Sequence, residues 1–242
     1  MSAAMLSALL LAASPAAPDA AALLRDSDRA RGGFEQGVTW TIAVEATEEA
    51  STTRSAWIVR ARGNDALAEA LSPPRRKGER FLFNDRTIWF VKPGLRRPIS
   101  VSARQRLQDE AANGDISSTR YARDYSGAIA GEDEVGGEPA WRLELKARTK
   151  DVTYDRIRYW ISKKRRLGLK AEFLTVSGDV FKAASFEYGN RVKLASAGDI
   201  EFVSRMTIRD AMGAGNVTVL EFQSPRAETH AASIFNVNNV AR

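Results

Sequence analysis

The sequence predicts a mainly β protein in which about eleven to thirteen short strands form an antiparallel meander, folded into a barrel or a deeply curved sheet. Three observations support this fold class. Apolar and polar residues alternate with a period of two along most of the chain. Turn-forming residues separate the alternating segments at short intervals. Few of the segments between these turns are long enough to form a helix.

The first predicted element is a helix over residues 20–31. This segment is rich in alanine, and Gly32 and Gly33 end it because glycine is favoured just past a helix C-terminus. Residues 103–125 are a second segment without alternation, and we expect them to cover one mouth of a barrel. These two segments, residues 20–31 and 103–125, are called the lid below.

Strands are predicted wherever the alternation is regular. Residues 141–147 give the cleanest example, because tryptophan, leucine and alanine alternate there with charged residues. Short polar turns join several strands into hairpins. The other predicted strands are 38–44, 57–61, the hairpin 81–91 around a turn at 84–87, 157–161, the hairpin 171–188 around a turn at 177–179, and the pair 202–208 and 217–222 around a turn at 212–216.

The N-terminal residues are predicted to be an export signal. Residues 5–13 form an apolar run that is too short to span a bilayer, and small residues suited to a signal peptidase follow it. No lysine or arginine precedes the run, which departs from the usual pattern. We expect residues 1–17 to be a signal peptide. Residues 18–242 are expected to form a single domain, because no linker or composition shift divides them.

The residue types that most enzyme and metal sites need are scarce. There is no cysteine, which excludes disulfides, thiolate zinc sites and a cysteine nucleophile. The single histidine, His230, lies in a polar stretch and is expected to be an ordinary surface residue. A phosphate-binding glycine loop, a GxSxG elbow and an HExxH motif are all absent from the sequence. We therefore predict a protein that is not an enzyme and needs no cofactor or metal.

The chain is basic, with a net charge of +6 and a pI of about 9.7. Such a chain can bind nucleic acid or an anionic membrane surface. Most basic residues alternate with apolar ones along the predicted strands, so a nucleic-acid partner is not predicted. The densest basic runs, residues 75–77 and 163–166, fall in predicted turns. A solvated turn is the simplest interpretation, and docking on acidic lipid headgroups or an acidic partner is the alternative.

Large aromatic residues are frequent on the alternating faces of the strands. They either fill a solid core or line a cavity, and beyond roughly eight strands a barrel is wider than side chains can fill. An apolar cavity suits an acyl chain, because burying each CH₂ contributes about 0.8 kcal/mol. The residues predicted to line the cavity are Trp40, Trp57, Phe81, Phe83, Phe90, Tyr159 and Phe173, and those predicted at its rim, as headgroup contacts, are Arg104 and Arg106.

Six stretches of the sequence resemble, in order and spacing, the LolA-like family of outer-membrane lipoprotein-sorting proteins. They are PRRKG (74–78), FLFNDRTIWFVKPGLRRPISVS (81–102), NGDISSTRYARDY (113–125), GEDEVGGEPAWRLELKA (131–147), VTYDRIRYWI (152–161) and KAEFLTVSGDVFKAASFE (170–187). The resemblance extends over about residues 32–235. It implies an incomplete antiparallel β-barrel of about eleven strands, with short helices as a lid and a concave apolar face that receives acyl chains.

The resemblance also implies a function. It implies a periplasmic carrier that binds a lipid, lipoprotein acyl chains or similar hydrophobic cargo and shuttles it toward the outer membrane. The implied partners are an inner-membrane exporter of the resistance-nodulation-division (RND) superfamily and an outer-membrane acceptor. The alternative is a periplasmic lipid-sensing regulatory module without a transport role. A regulator is expected to carry an extra domain, and only residues 224–242 follow the last predicted strand, so the carrier is preferred.

Overall fold

The fold is described from a computed structural model. It covers residues 18–49, 51–84, 86–108, 111–117, 120–194, 198–213 and 215–240. The predicted signal peptide, residues 1–17, lies outside the described residues. The α-helices are α1 (Ala20–Arg29), α2 (Tyr121–Asp124) and α3 (Val237–Val240), and short 3-10 helices cover Pro74–Arg76, Asn113–Asp115 and Ala232–Phe235.

Strands make up most of the regular structure. They are β1 (Val38–Glu48), β2 (Ser51–Arg62), β3 (Asp65–Ser72), β4 (Arg80–Asn84), β5 (Thr87–Val91), β6 (Ile99–Val101), β7 (Arg106–Gln108), β8 (Ala111–Ala112), β9 (Tyr125–Val135), β10 (Glu138–Ala147), β11 (Arg156–Ser162), β12 (Gly168–Leu174), β13 (Val180–Glu187), β14 (Asn190–Leu194), β15 (Gly198–Phe202), β16 (Arg205–Asp210) and β17 (Val217–Ala227).

One antiparallel sheet of 13 strands dominates the fold, in the order β6-β5-β4-β3-β2-β1-β17-β16-β13-β12-β11-β10-β9. Its edge strands, β6 and β9, do not pair with each other, so the barrel is incomplete. The pairs β7–β8 and β14–β15 form separate two-stranded sheets. The mainly β class and the incomplete antiparallel barrel predicted from the sequence are confirmed. The main sheet has 13 strands, where the resemblance implied about eleven.

The prediction of one continuous strand over residues 202–208 was wrong, because the structure has two strands there. β15 ends at Phe202 and β16 begins at Arg205. Between them, the backbone N–H of Val203 donates to the carbonyl of Ala30 at 2.9 Å, beyond the end of α1. The chain thus leaves one hairpin and enters the main sheet at a contact with the lid. Alternation alone does not reveal such a change of partner.

The main hydrophobic core lies on the concave face of the sheet, because alternate residues of each strand point to that face. Trp40 of β1 and Trp57 of β2 are fully buried there. Leu23 and Leu24 of α1 pack into the same core, so the first part of the lid is also part of the core. Asp19 caps α1 by accepting the backbone N–H groups at the start of the helix.

The C-terminal segment covers the convex face of the sheet. Phe235 and Val240 contact Leu67, Leu82 and Val91 in a second, smaller cluster. These residues point away from the main core, because they alternate with inward-facing residues along β3, β4 and β5.

His230 is buried, so the prediction of a surface histidine was wrong. Its Nε2 lies 3.0 Å from the hydroxyl of Thr39, and its carbonyl accepts a hydrogen bond of 2.8 Å from Arg62. The returning C-terminal segment places the ring against β1. The polar residues next to His230 in sequence give no indication of this contact, because it forms only in the folded chain. His230 therefore anchors this segment.

Candidate functional site

The predicted cavity-lining aromatics all face the concave side of the sheet. In this structure they pack against one another and against the lid. Their contact with a ligand stays a prediction. The buried members are Trp40, Trp57, Phe81, Phe83, Tyr159 and Phe173, and the partly buried member is Phe90.

Three of these aromatics form a continuous row from the core to the surface. The ring centroid of Trp57 lies 5.5 Å from that of Phe81, and Phe81 lies 5.0 Å from Phe90. These distances fall within the range of favourable aromatic contacts. The row crosses β2, β4 and β5, which the antiparallel pairing brings side by side through β3.

A groove of about 600 Å³ opens at the outer end of this row. Ligand pockets commonly measure about 300–1,000 Å³, so the groove can hold part of a lipid-sized molecule. Phe81 and Phe90 line it together with apolar residues of β6 and β7, and basic residues lie around its entrance. The full set is Arg75, Arg76, Glu79, Phe81, Phe90, Lys92, Ile99, Val101, Gln105 and Leu107.

The buried carboxylate of Glu79 organises the groove entrance. It accepts a hydrogen bond from Arg76 Nε at 2.8 Å and pairs with Lys92 Nζ at 3.1 Å. The guanidinium of Arg76 also lies 4.7 Å from the ring centroid of Trp57, in a cation–π contact. The entrance is therefore cationic, while the aromatic row behind it is apolar.

A second region, beneath the lid, is polar and was missed by the sequence reasoning. Arg31 is only 7% exposed, and its guanidinium lies 4.3 Å from the ring centroid of Phe186 and 5.4 Å from that of Tyr121. No carboxylate forms a direct ion pair with it among the described residues. Arg31 is the last residue of the predicted helix, although α1 ends at Arg29, and no sequence signal marks it as a buried arginine.

Asp28 connects the two parts of the lid. Its carboxylate accepts the backbone N–H of Tyr121 at 3.0 Å and that of Ala122 at 2.9 Å, at the start of α2. Burial raises the pKa of Asp28 from 3.8 to about 6, although these two hydrogen bonds act in the opposite direction. The neighbouring Ser27 hydroxyl lies 2.6 Å from that of Tyr159 in the barrel wall. The lid is thus held partly by buried polar contacts.

A small cavity of about 90 Å³ lies in this polar region, below the usual size of a ligand pocket. Asp115 lines it and accepts hydrogen bonds from the Tyr154 hydroxyl at 2.9 Å and from the backbone N–H of Ala112 at 2.8 Å. Burial raises the pKa of the Asp115 carboxyl. Phe83, one of the predicted lining residues, also faces this cavity.

The two arginines predicted at the rim are Arg104, which lies in a turn before β7, and Arg106, which lies in β7. Arg104 makes a bidentate pair with Asp155, with distances of 2.8 and 2.7 Å, and donates to the carbonyl of Val152 at 3.0 Å. It therefore tethers the loop before β11, and its donors are engaged within the protein. The backbone of Arg106 lies in β7, but its side chain lies outside the described residues.

Comparisons with known proteins place the chain in a family. A family model described as an uncharacterized protein matches residues 62–242, well over half of the chain. The chain belongs to that family. No curated protein matches it.

Solved structures match nearly the whole chain. A LolA superfamily protein from Nitrosomonas europaea is 25% identical with a TM-score of 0.81, covering 92% of this chain and 99% of that chain. An outer membrane lipoprotein-sorting protein domain from Vibrio parahaemolyticus is 18% identical with a TM-score of 0.76, covering 92% and 98%. A DUF1329 family protein from Desulfovibrio piger is 19% identical with a TM-score of 0.74, covering 91% and 97%. The resemblance to LolA-like proteins predicted from the sequence is confirmed.

These matches indicate no catalytic family. Among the described residues, no group of three or more histidine, aspartate or glutamate side chains could hold a metal ion. In the same part of the chain, no helix is long and apolar enough to cross a membrane. The site combines an aromatic interior, a groove joined to it and a cationic entrance, which suit the binding of an apolar ligand with an anionic end.

Proposed function

We propose that this protein is a periplasmic carrier that binds a lipid, lipoprotein acyl chains or a similar hydrophobic cargo between its lid and the concave face of its sheet. The observation that carries the proposal is the aromatic row of Trp57, Phe81 and Phe90, which joins the buried core to the groove of about 600 Å³. This row offers an apolar chain a path from the groove toward the core. The LolA-like fold supports the proposal.

Cargo enters the core when its acyl chains replace lid side chains. Leu23 and Leu24 of α1 fill the core in this structure. Burying one leucine contributes about 1.5–3 kcal/mol and one CH₂ about 0.8 kcal/mol, so about four to eight CH₂ groups offset the loss of both leucines. Long-chain amphiphiles therefore offset this loss, whereas chains shorter than about four CH₂ groups do not.

The carrier would shuttle its cargo toward the outer membrane. Its partners would be an inner-membrane RND-type exporter that supplies the cargo and an outer-membrane acceptor that takes it. No energy source is needed within the carrier, because transfer follows the better apolar site. The regulatory module remains the alternative, and cargo transfer between membranes in a reconstituted assay distinguishes the two.

The first test is native mass spectrometry of the protein isolated from a periplasmic extract, followed by lipid analysis. A hydrophobic molecule bound at near-stoichiometric ratio is expected. Uptake of a fluorescent acyl probe then tests the site with two neighbouring residues of β5. Phe90→Glu alters the groove, whereas Trp89→Glu alters the convex face, where Trp89 packs beside the C-terminal cluster.

Phe90→Glu should lower probe affinity at least tenfold, and Trp89→Glu should leave it within about twofold, since only the first places a charge in the groove. Equal effects of the two substitutions would contradict the proposed path. A protein that carries no molecule and also takes up no probe would refute the carrier function.

A further inference from the structure

The groove entrance combines exposed apolar and basic side chains. The loop between β5 and β6 and the first residue of β6 together span residues 92–99. In this segment Leu95 is 44% exposed and Ile99 is 48% exposed. Arg96 and Arg97 lie between them in sequence and are also exposed. Exposed large apolar side chains close to arginines suit a membrane interface, where apolar groups enter the headgroup–acyl boundary and basic groups attract anionic lipids.

A second basic segment lies beside this loop. Glu79 joins the two, because it pairs with Arg76 at 2.8 Å on one side and with Lys92 at 3.1 Å on the other. Arg75 and Ile99 line the same groove as these residues. Residues 74–77 and 92–99 therefore form one surface around the groove entrance, called the basic rim below.

The two basic runs of the sequence differ in how their charges are used. In the run 163–166, ion pairs engage three of the four basic residues: Lys163 with Glu132, Arg165 with Glu138 and Glu201, and Arg166 with Asp26. In the basic rim, Arg75, Lys77, Arg96 and Arg97 have no ion-pair partner among the described residues. Their charge is available to an external anionic surface.

We propose that the basic rim docks on the surface of an anionic lipid bilayer. Its basic residues would contact the headgroups, and Leu95 and Ile99 would enter the interfacial region. Each basic residue near such a surface strengthens binding about fivefold, so four unpaired ones give a strong and salt-dependent attraction. A bilayer surface accounts for both features, because its headgroups attract the basic residues and its interfacial region accepts Leu95 and Ile99.

Docking through this rim also orients the site. Ile99 and Phe90 line the same groove, so a docked rim turns the groove and the aromatic row behind it toward the lipid. The orientation of the groove toward the lipid rests on the proposed carrier function, whereas membrane docking does not. Docking and cargo binding can therefore be measured separately in one experiment.

The test is co-sedimentation of the full chain with vesicles of phosphatidylcholine alone or with about 30% phosphatidylglycerol, at low salt and at about 0.15 M salt. Two double variants alter the rim: Arg96→Glu with Arg97→Glu, and Leu95→Ser with Ile99→Ser. A charge-matched control is Lys164→Glu with Lys193→Glu. Both of these lysines are exposed and lie outside the rim. Circular dichroism melts verify that each variant folds, and acyl-probe uptake is measured in parallel.

Binding to the anionic vesicles is expected to exceed binding to neutral ones at least tenfold. The affinity for anionic vesicles should fall at least tenfold in the Arg96 and Arg97 variant and several-fold in the Leu95 and Ile99 variant. In the control variant it should fall at most twofold. Equal losses in control and rim variants would overturn the proposal, because general positive charge would then suffice. It would also be overturned if the wild type bound an acidic protein but not the vesicles. Probe uptake without vesicle binding would refute docking and leave the carrier function standing, and the reverse result would refute the carrier function alone.

Discussion

Replacement of Asp28 tests how the lid is held. Its carboxylate is the acceptor for two buried backbone N–H groups, those of Tyr121 and Ala122. Asp28→Ala removes both bonds, and each buried group left unsatisfied costs about 1–3 kcal/mol. We expect the free energy of unfolding to fall by about 2–6 kcal/mol, and acyl-probe uptake to become faster because the lid opens more easily.

Asp28→Asn gives a sharper test, because asparagine keeps one acceptor oxygen but cannot ionise. A folded-state pKa of about 6, above the ordinary 3.8, means that protonation stabilises the folded chain. This stabilisation is fully present below pH 3.8 and is lost as the pH rises through about 6. The full shift corresponds to about 3 kcal/mol, of which about 1.4 kcal/mol is regained on going from pH 7.5 to pH 5.

Urea denaturation of wild type and Asp28→Asn at these two pH values measures the effect. The difference in unfolding free energy between the two proteins should move by about 1.4 kcal/mol in favour of the wild type at the lower pH. Taking the difference between the two proteins removes the contribution of all other titrating groups, because both proteins contain them. Parallel pH dependences of the two proteins would refute the assigned burial of the charge, and an unchanged stability of Asp28→Ala would refute its role in the lid.

Three further substitutions test other parts of the structure. Gly168→Ala should destabilise by about 1–3 kcal/mol, because the added methyl group would overlap the ring of Tyr159, and a thermal melt equal to wild type would contradict this packing. His230→Ala should cost about 1–3 kcal/mol in urea denaturation through the lost contact with Thr39, with acyl-probe uptake unchanged. Arg104→Ala should cost about 1 kcal/mol, since its ion pair is partly exposed, and loss of probe affinity would show that it contacts the cargo after all.

Local patterning explains why much of the sheet could be predicted from the sequence. Side chains on a strand alternate between faces, so the regular alternation in β1, β2 and β10 identified both the strands and their inward residues. The polar turn at 84–87 predicted a hairpin, and the structure has one there, since β4 ends at Asn84 and β5 begins at Thr87. These features depend on residues close in sequence.

The polar parts of the site could not be predicted, because they depend on contacts between distant segments. Asp28 meets Tyr121 across 93 positions of the chain, and Arg31 meets Phe186 across an even longer separation in sequence. Both residues lie in the helix predicted over residues 20–31, but the composition that predicts this helix does not reveal their distant partners. The two basic runs also look alike in sequence, and only the fold shows that ion pairs engage three of the four basic residues of one of them.

The buried polar contacts of the lid affect how the proposed carrier would open without an energy source. A lid held by apolar contacts alone would lose its full burial energy on opening. Asp28 instead regains hydration when the lid opens, and its raised pKa indicates that burying this charge works against closure by about 3 kcal/mol. This amount is comparable to the burial of one leucine. Burial of the Asp28 charge therefore reduces the net stability of the closed lid, and this reduction would help the proposed carrier to load and release its cargo reversibly.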